Sequence, residues 1–217
     1  NVQAIAVCFI NAHVNPANEQ AAVRYLASRL PRVSVSASTQ LVPQIGEYER
    51  TSTTVVNAYL RPVVEHYVTS LSRRMGRLRI TAPLMIMQSS GGVLPGPLVA
   101  KMPVFIIESG PAAGALGAQK LGTHLGLGDL IVFDMGGTTA KACIVQGNQL
   151  TLAPDTEVGG LAPLGARMIK GAGFIVQVPT IDIAEVGAGG GSIAAIDAAG
   201  GMLVGPRSAG AEPGPIC

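Results

Sequence analysis

Residues 131–141 read Ile-Val-Phe-Asp-Met-Gly-Gly-Thr-Thr-Ala-Lys. A β-rich apolar run ends in Asp134, two glycines and two threonines follow, and a second β-type run extends from Ala142 to Gln146. The pattern predicts strand, tight turn, strand, and commits the middle of the chain to a hairpin with a polar tip. Such a turn points backbone N–H groups and hydroxyls at one spot, the arrangement that holds phosphate oxygens. Gly136 and Gly137 let the backbone approach a bulky anion with no Cβ in the way. Asp134, at the strand end, is placed to hold Mg²⁺ or to orient a water. On these residues alone a purely structural hairpin stays open beside nucleotide phosphate binding.

Hydrophobic periodicity divides the rest of the chain into two styles. Ala4 to Ile10 reads as a short buried strand, and Asn15-Pro16 opens a helix to about Leu30 that Pro31 stops. Val33 and Val35 alternate with serines as a second strand, and Pro43 to Glu49 reads as a connection. Thr51 to Met75 carries a long helical pattern in which Pro62 predicts a kink or a division. Leu84 to Met87 is a strand ending in Gln88-Ser89-Ser90-Gly91-Gly92, a polar loop of the kind that meets ligands in α/β proteins. Val104 to Ile107 reads as another strand, and Ser109 as the N-cap of a helix to about Leu125 with Pro111 in its first turn. That helix holds Ala112, Ala113, Gly114, Ala115, Gly117 and Ala118, a run whose glycines helix propensity disfavours and close packing at a crossing would explain.

After about residue 128 hairpins dominate. Gly147-Asn148 turns the chain into a strand over Gln149 to Val158, and residues 159–173 are irregular. Phe174 to Val178 and Ile181 to Val186 read as strands, followed by the glycine loop 187–192 and a hairpin of Ile193 to Ile196 with Met202 to Val204. Residues 205–217 are rich in Pro and Gly, with no closing element expected. The switch predicts two lobes, residues 1–128 as part of a first α/β lobe and residues 129–217 as the start of a second, hairpin-rich lobe.

Apolar residues make up 48% of the 217 positions and charged residues 13%, so a sizeable core is available, built without Trp and with only 4% aromatics. No apolar run approaches the roughly 18 residues a membrane helix needs, and a cytoplasmic location is expected. A net charge of +2 does not point to nucleic acid. The basic group Arg73, Arg74, Arg77 and Arg79 suits the C-terminal end of a helix dipole. Cys8, Cys143 and Cys217 have no CxxC spacing, which indicates neither a zinc site nor a disulfide framework.

Other candidate sites carry competing bland readings. The glycine loop Gly187-Ala188-Gly189-Gly190-Gly191-Ser192 admits an adenine, ribose or phosphate, or forms a bulged turn. Asp182 and Glu185 beside it read as solvated edge charges before acid catalysis. His13, in a strand-to-helix loop, keeps a functional possibility; His66 and His124 lie on helices and read as surface residues.

Six stretches in order resemble the hydantoinase A/5-oxoprolinase family: 47–59 (Glu-Tyr-Glu-Arg-Thr-Ser-Thr-Thr-Val-Val-Asn-Ala-Tyr), 87–92 (Met-Gln-Ser-Ser-Gly-Gly), 108–114 (Glu-Ser-Gly-Pro-Ala-Ala-Gly), 133–141, 181–192 and 205–215. The resemblance implies an α/β fold of ribonuclease-H-like lobes of the actin-like ATPase type, incomplete here, with helix 110–118 crossing at the hinge. It also implies ATP and Mg²⁺ as cofactors, with phosphates held by Gly136, Gly137, Thr138 and Thr139. Asp134 would serve Mg²⁺ or water, Lys141 would neutralise phosphate charge if its side chain reaches it, and Gly189, Gly190, Gly191 and Ser192 would line the nucleotide site.

The implied chemistry is ATP-dependent opening of a small cyclic amide of the hydantoin or 5-oxoproline type, through phosphorylation of the carbonyl oxygen. The alternatives are the ATPase subunit of a biotin-independent acetone- or acetophenone-type carboxylase, and a folded fragment inactive on its own. The earlier Asp-x-Gly-Gly-Thr hairpin of the family is not found before residue 134, so the chain is expected to be an internal piece of a longer polypeptide. Its implied partners are the remaining segments or a hydantoinase B-type subunit, within an oligomer. Ala184-Glu185 stands where many relatives have His-Thr.

Overall fold

A computed structural model describes residues 2–159, 173–210, 212, 214 and 215. The residues expected to be irregular lie, from 160 to 172, outside that description, as do residues 211, 213, 216 and 217 of the C-terminal stretch. The chain divides into two units: Asn1–Ala112, Ala153–Val158 and Ile175–Thr180 form the first, and Ala113–Leu152, Gly159–Phe174 and Ile181–Cys217 the second. A mixed α/β fold is shared by both.

In the first unit, β1 (Ala4–Val7) pairs parallel with β2 (Ser34–Ala37), with Ala4 opposite Ser34 and Val7 opposite Ala37. Helix α1 (Ala17–Arg29) makes the crossover that parallel strands require. A one-turn helix, α2 (Ser38–Leu41), follows β2 directly and precedes α3 (Glu47–Arg77). Helix α3 begins earlier than periodicity predicts. Gly46 supplies the left-handed residue at its start (φ 111°), and Glu47 and Glu49 place negative charge in the first turn. It runs through Pro62 as one helix and is not divided. The buried residues Thr53, Thr54, Asn57, Ala58 and Val68 hold it against neighbouring elements, and tertiary packing outweighs the local cost of proline.

Strands β3 (Met85–Met87) and β4 (Val93–Pro95) form an antiparallel pair, followed by α4 (Gly96–Lys101). The expected strand at 104–107 is instead a 3₁₀ helix over Pro103–Ile106. Pro103 fixes φ and brings no donor. The Val104 amide is taken by Asn57 Oδ1 at 3.3 Å, and the Phe105 carbonyl by the Ser89 amide at 2.8 Å. Side chain and loop thus claim the groups a strand ladder would need. Around this turn lies the core of Leu41, Val42, Val104, Val176 and Val178, joined by Val56, Met102, Phe105, Ile107 and Val158. The Gln177 amide bonds Thr53 Oγ1 at 2.8 Å and fastens segment 175–180 to α3.

Helix α5 (Ser109–His124) carries the chain from the first unit into the second. Ser109 is its first residue rather than its N-cap; the Ala112 amide bonds the Glu108 carbonyl, so Glu108 takes the cap position. Of the glycines on α5, a Cβ added at Gly122 would run into the Leu130 side chain, whereas at Gly110, Gly114 and Gly117 it would meet nothing within 4 Å.

The second unit is built on an antiparallel sheet in the order β12 (Ala184–Val186), β6 (Ala140–Gln146), β5 (Leu130–Met135), with β7 (Gln149–Leu150) also on β6. Gly147 and Asn148, both at positive φ, make the tight turn the sequence predicts. The expected strand over 149–158 is broken into β7, β8 (Leu152–Ala153) and β9 (Thr156–Val158); Pro154, between β8 and β9, cannot donate to a ladder. Phe174–Val176 (β10) and Thr180–Ile181 (β11) are shorter than expected. The final hairpin pairs β13 (Ser192–Ile196) with β14 (Met202–Ser208). Strand β14 runs past the expected end at Val204, to Ser208.

Candidate functional site

The hairpin tip lies between the paired ends of β5 and β6, where Met135 faces Ala140 and Asp134 faces Lys141. Directly opposite residues share a sheet face, so Leu130, Val132 and Asp134 lie on one side with Val145, Cys143 and Lys141. That side is apolar and buried at Val145 and Cys143 and turns polar toward the tip. Burial pushes the Cys143 thiol up, with the Asp182 carboxylate adding to the effect, so Cys143 is an inert packing residue.

Alternation places Lys141 on the face of Asp134, and β12 supplies its counter-ion. Glu185 sits opposite Lys141 in register, with Nζ to Oε1 at 3.5 Å and both side chains largely buried. Glu185 is thus a partner of Lys141 and not a solvated edge charge. Asp182 is exposed. The Asp134 carboxylate is exposed and makes no hydrogen bond or ion pair among the described residues.

Within the tip the Gly136 amide bonds the Thr139 carbonyl at 2.9 Å. The amides of Gly137, Thr138 and Thr139 carry no hydrogen bond among the described residues. Gly136, Gly137 and Thr138 are exposed and Thr139 is half-buried. The turn therefore offers three successive unbonded N–H groups, two threonine hydroxyls and a neighbouring free carboxylate. Exposed donors of this kind suit an anion. Beside it, Asp134 and the hydroxyls are the hard oxygen ligands that Mg²⁺ prefers when phosphate completes its shell.

The glycine loop packs on this tip. The Gly190 amide donates to the Gly136 carbonyl at 2.9 Å and the Gly191 amide to the Gly137 carbonyl at 2.7 Å. The Gly189 amide is taken by Ser192 Oγ at 2.8 Å. Gly189, Gly190, Gly191 and Ser192 are thereby brought together with Gly136 to Thr139, and the amides of these four loop residues are spent on protein groups. The glycines are required by contact: a Cβ on Gly189 would lie 2.6 Å from the Gly136 oxygen and 2.7 Å from the Thr139 nitrogen, and one on Gly191 would lie 2.8 Å from the Gly137 oxygen.

In the first unit a polar centre stands at the carboxyl ends of β1 and β2 that sequence reasoning missed. Arg50 is fully buried and gives Nε to Ser38 Oγ, Nη1 to the Gln44 carbonyl and Nη2 to the Phe9 carbonyl, with Glu47 Oε1 at 3.5 Å from Nη2. Nη1 also lies 3.2 Å from His13 Nδ1, which must accept because a guanidinium has no lone pair to offer. Glu19, also fully buried, accepts from the Phe9 and Thr39 amides and the Ser38 and Thr39 hydroxyls at 2.7–3.0 Å. In the sequence Arg50 stood out only as part of the family-like stretch 47–59, and Glu19 carried no signal. His66 and His124 are exposed as expected. In the 88–92 loop, Ser89 is buried between the Phe105 carbonyl and the Glu108 amide, a structural use.

Comparison with known proteins gives this geometry a context. The hydantoinase/oxoprolinase family profile matches residues 50–217. Caprolactamase subunit alpha of Pseudomonas jessenii is 38% identical over 216 residues, covering all of this chain and 29% of that protein. The acetophenone carboxylase gamma subunit of Aromatoleum aromaticum is 30% identical over 225 residues, 99% of this chain and 28% of that protein. 5-oxoprolinase 1 of Arabidopsis thaliana is 32% identical over 219 residues and is covered for 16% of its length. The crystal structure of the ATP-dependent caprolactamase from Pseudomonas jessenii superposes with a TM-score of 0.79 at 38% identity, over all of this chain and 29% of that one. Nucleotide-free acetone carboxylase shares the fold, with a TM-score of 0.78 over 96% of this chain and 28% of that one. The chain thus spans less than a third of the length of these relatives. With residues 50–217 matched and the shared fold, this chain belongs to the hydantoinase/oxoprolinase family.

Proposed function

We propose that this chain contributes a phosphate-holding segment to an ATP-dependent enzyme that opens small cyclic amides. The observation that carries this reading is the exposed tip at 136–139, where among the described residues the amides of Gly137, Thr138 and Thr139 are unbonded and Asp134 beside them has no hydrogen bond or ion pair. ATP supplies the phosphoryl group that makes the amide carbonyl carbon electrophilic toward water. The chain's residues bind and orient: the amides of Gly137 and Thr138 and the hydroxyls of Thr138 and Thr139 hold phosphate oxygens, and Asp134 holds Mg²⁺ with them. Lys141 remains with Glu185 and lends its charge at the base of the turn. Names of relatives that include ATP-dependent caprolactamase and 5-oxoprolinase support the substrate class.

The two units are read as parts of ribonuclease-H-like lobes, with α5 as a hinge helix. Gly110, Gly114 and Gly117 leave space along α5 for the close approach such a crossing needs. Further segments of a longer polypeptide, or a hydantoinase B-type subunit, complete the enzyme; one half of a phosphate clamp leaves the 217-residue chain by itself with little or no ATP hydrolysis. In the complete enzyme Asp134→Asn abolishes amide-dependent ATP turnover. Turnover equal to wild type removes Asp134 from the chemistry.

A carboxylase role is the second reading, favoured by the 30% identity to the acetophenone carboxylase gamma subunit. ATP consumption by the complete enzyme separates the two: stimulation by a lactam alone supports ring opening, and stimulation only by ketone with bicarbonate supports carboxylation.

A further inference from the structure

Among the described residues the amides of Gly137 and Thr138 are unbonded, and they are also aimed. In a trans peptide the carbonyl of one residue and the N–H of the next point in opposite directions within one plane. The Gly136 carbonyl is held toward the glycine loop by the Gly190 amide at 2.9 Å, so the Gly137 N–H points away from the loop. The Gly137 carbonyl is held the same way by the Gly191 amide at 2.7 Å, so the Thr138 N–H also points away. Two consecutive donors are thus turned to the side opposite the loop. We infer that Gly190 and Gly191 are positioning residues: they fix the direction of the phosphate-holding amides of Gly137 and Thr138 and do not themselves touch the nucleotide. This rests on the phosphate reading of the turn.

The arrangement is braced from behind. The Gly191 carbonyl accepts from the Ala209 amide at 2.8 Å and from Ser208 Oγ at 3.1 Å. Gly205, at φ +71°, comes so near that an added Cβ would lie 2.5 Å from the Gly187 oxygen. Segment 205–209 therefore supports 187–191, and 187–191 supports 136–139. Three glycine-bearing stretches far apart in sequence form one stack of backbone. Without the two loop amides each peptide plane of the turn would be free to rotate, and both dipoles would have to be reordered when an anion arrives. Held in advance, they bind it without that cost.

The test uses isotope-labelled full chain and inorganic pyrophosphate at millimolar concentration, read by amide resonances and hydrogen exchange. In wild type the Gly137 and Thr138 resonances move with pyrophosphate, while the Gly190 and Gly191 amides are protected from exchange before and after. Gly191→Ala and Gly189→Ala, which intrude on turn backbone, weaken pyrophosphate at least tenfold, and the protection of the remaining loop amides is lost with the affinity. Should these variants fail to fold, Ser192→Ala, which removes the acceptor of the Gly189 amide, gives a smaller loss of the same kind, about threefold. Pyrophosphate that binds the folded variants as tightly as wild type overturns the positioning role and leaves the phosphate reading standing. So does ligand contact at Gly190 and Gly191 themselves, seen as their resonances moving while 137 and 138 stay still. If no wild-type resonance responds, the phosphate reading fails and the positioning role falls with it.

Discussion

Arg50 and Glu19 show what a single buried charge demands. An ionised group out of water is costly unless its whole hydrogen-bonding capacity is met, and the loops after β1 and β2 are shaped to meet it. Burial pushes the Glu19 carboxyl up, but bonds from the Thr39 amide, the Ser38 and Thr39 hydroxyls and the Phe9 amide outweigh it and leave the group below its usual value. A carboxylate depressed in the folded state contributes stability that is present above its unfolded value, about pH 4.3, and is lost as pH falls through the folded value. Urea unfolding should therefore show stability falling below about pH 4. Glu19→Gln should flatten that acid limb and lower stability at neutral pH by about 1–3 kcal/mol, because it turns two good acceptors into one. Arg50→Lys should cost about 2 kcal/mol or more, since a point ammonium cannot reach carbonyl, hydroxyl and imidazole together.

At the scale of elements, local chemistry predicted most of what formed and erred where long-range partners intervened. The hairpin at 130–146, α1, α3 and α5 follow from apolar spacing, turn glycines and the helix-start prolines. Helix α3 keeps Pro62 in its interior at a local cost of about 3 kcal/mol relative to alanine. Pro62→Ala should restore an N–H to the ladder and raise stability by about 1–2 kcal/mol, the smaller figure allowing for the stiffer unfolded chain that proline gives. Thermal unfolding measures it; an unchanged midpoint would mean that the helix already accommodates the ring. The segment 103–106 is the counter-example. Its apolar run is strand-like, yet Asn57 and Ser89 hold its amide and carbonyl and leave a 3₁₀ turn.

For the molecule as a whole, the second unit's sheet has one face turned to solvent. Ile131, Phe133 and Met135 of β5 and Ile144 of β6 are 80%, 63%, 55% and 65% exposed. Period-two alternation puts them together on the side opposite Asp134 and Lys141. A contiguous apolar face of this kind binds hydrophobic dyes and self-associates. Sedimentation of the 217-residue chain should show concentration-dependent association that Ile131→Lys with Ile144→Lys reduces at least several-fold. Monomeric behaviour of the unsubstituted chain at high micromolar concentration would mean that this face is not sticky. Among the described residues no helix is long and apolar enough to cross a membrane.

The order of amino acids alone settled where the central hairpin turns and which residues stand at its tip. Asp134, Gly136, Gly137, Thr138 and Thr139 are neighbours in sequence, and a hairpin needs only neighbours. It also carried enough spaced motifs for the family to be recognised. Tertiary structure alone decided what each polar group does. Glu185 answers Lys141 from another strand, Gly190 and Gly191 hold carbonyls more than fifty positions back in the chain, and Arg50 gathers Phe9, His13 and Ser38. Hydrogen bonds and backbone contact act over about 3 Å whatever the distance along the chain, so local periodicity holds no record of them.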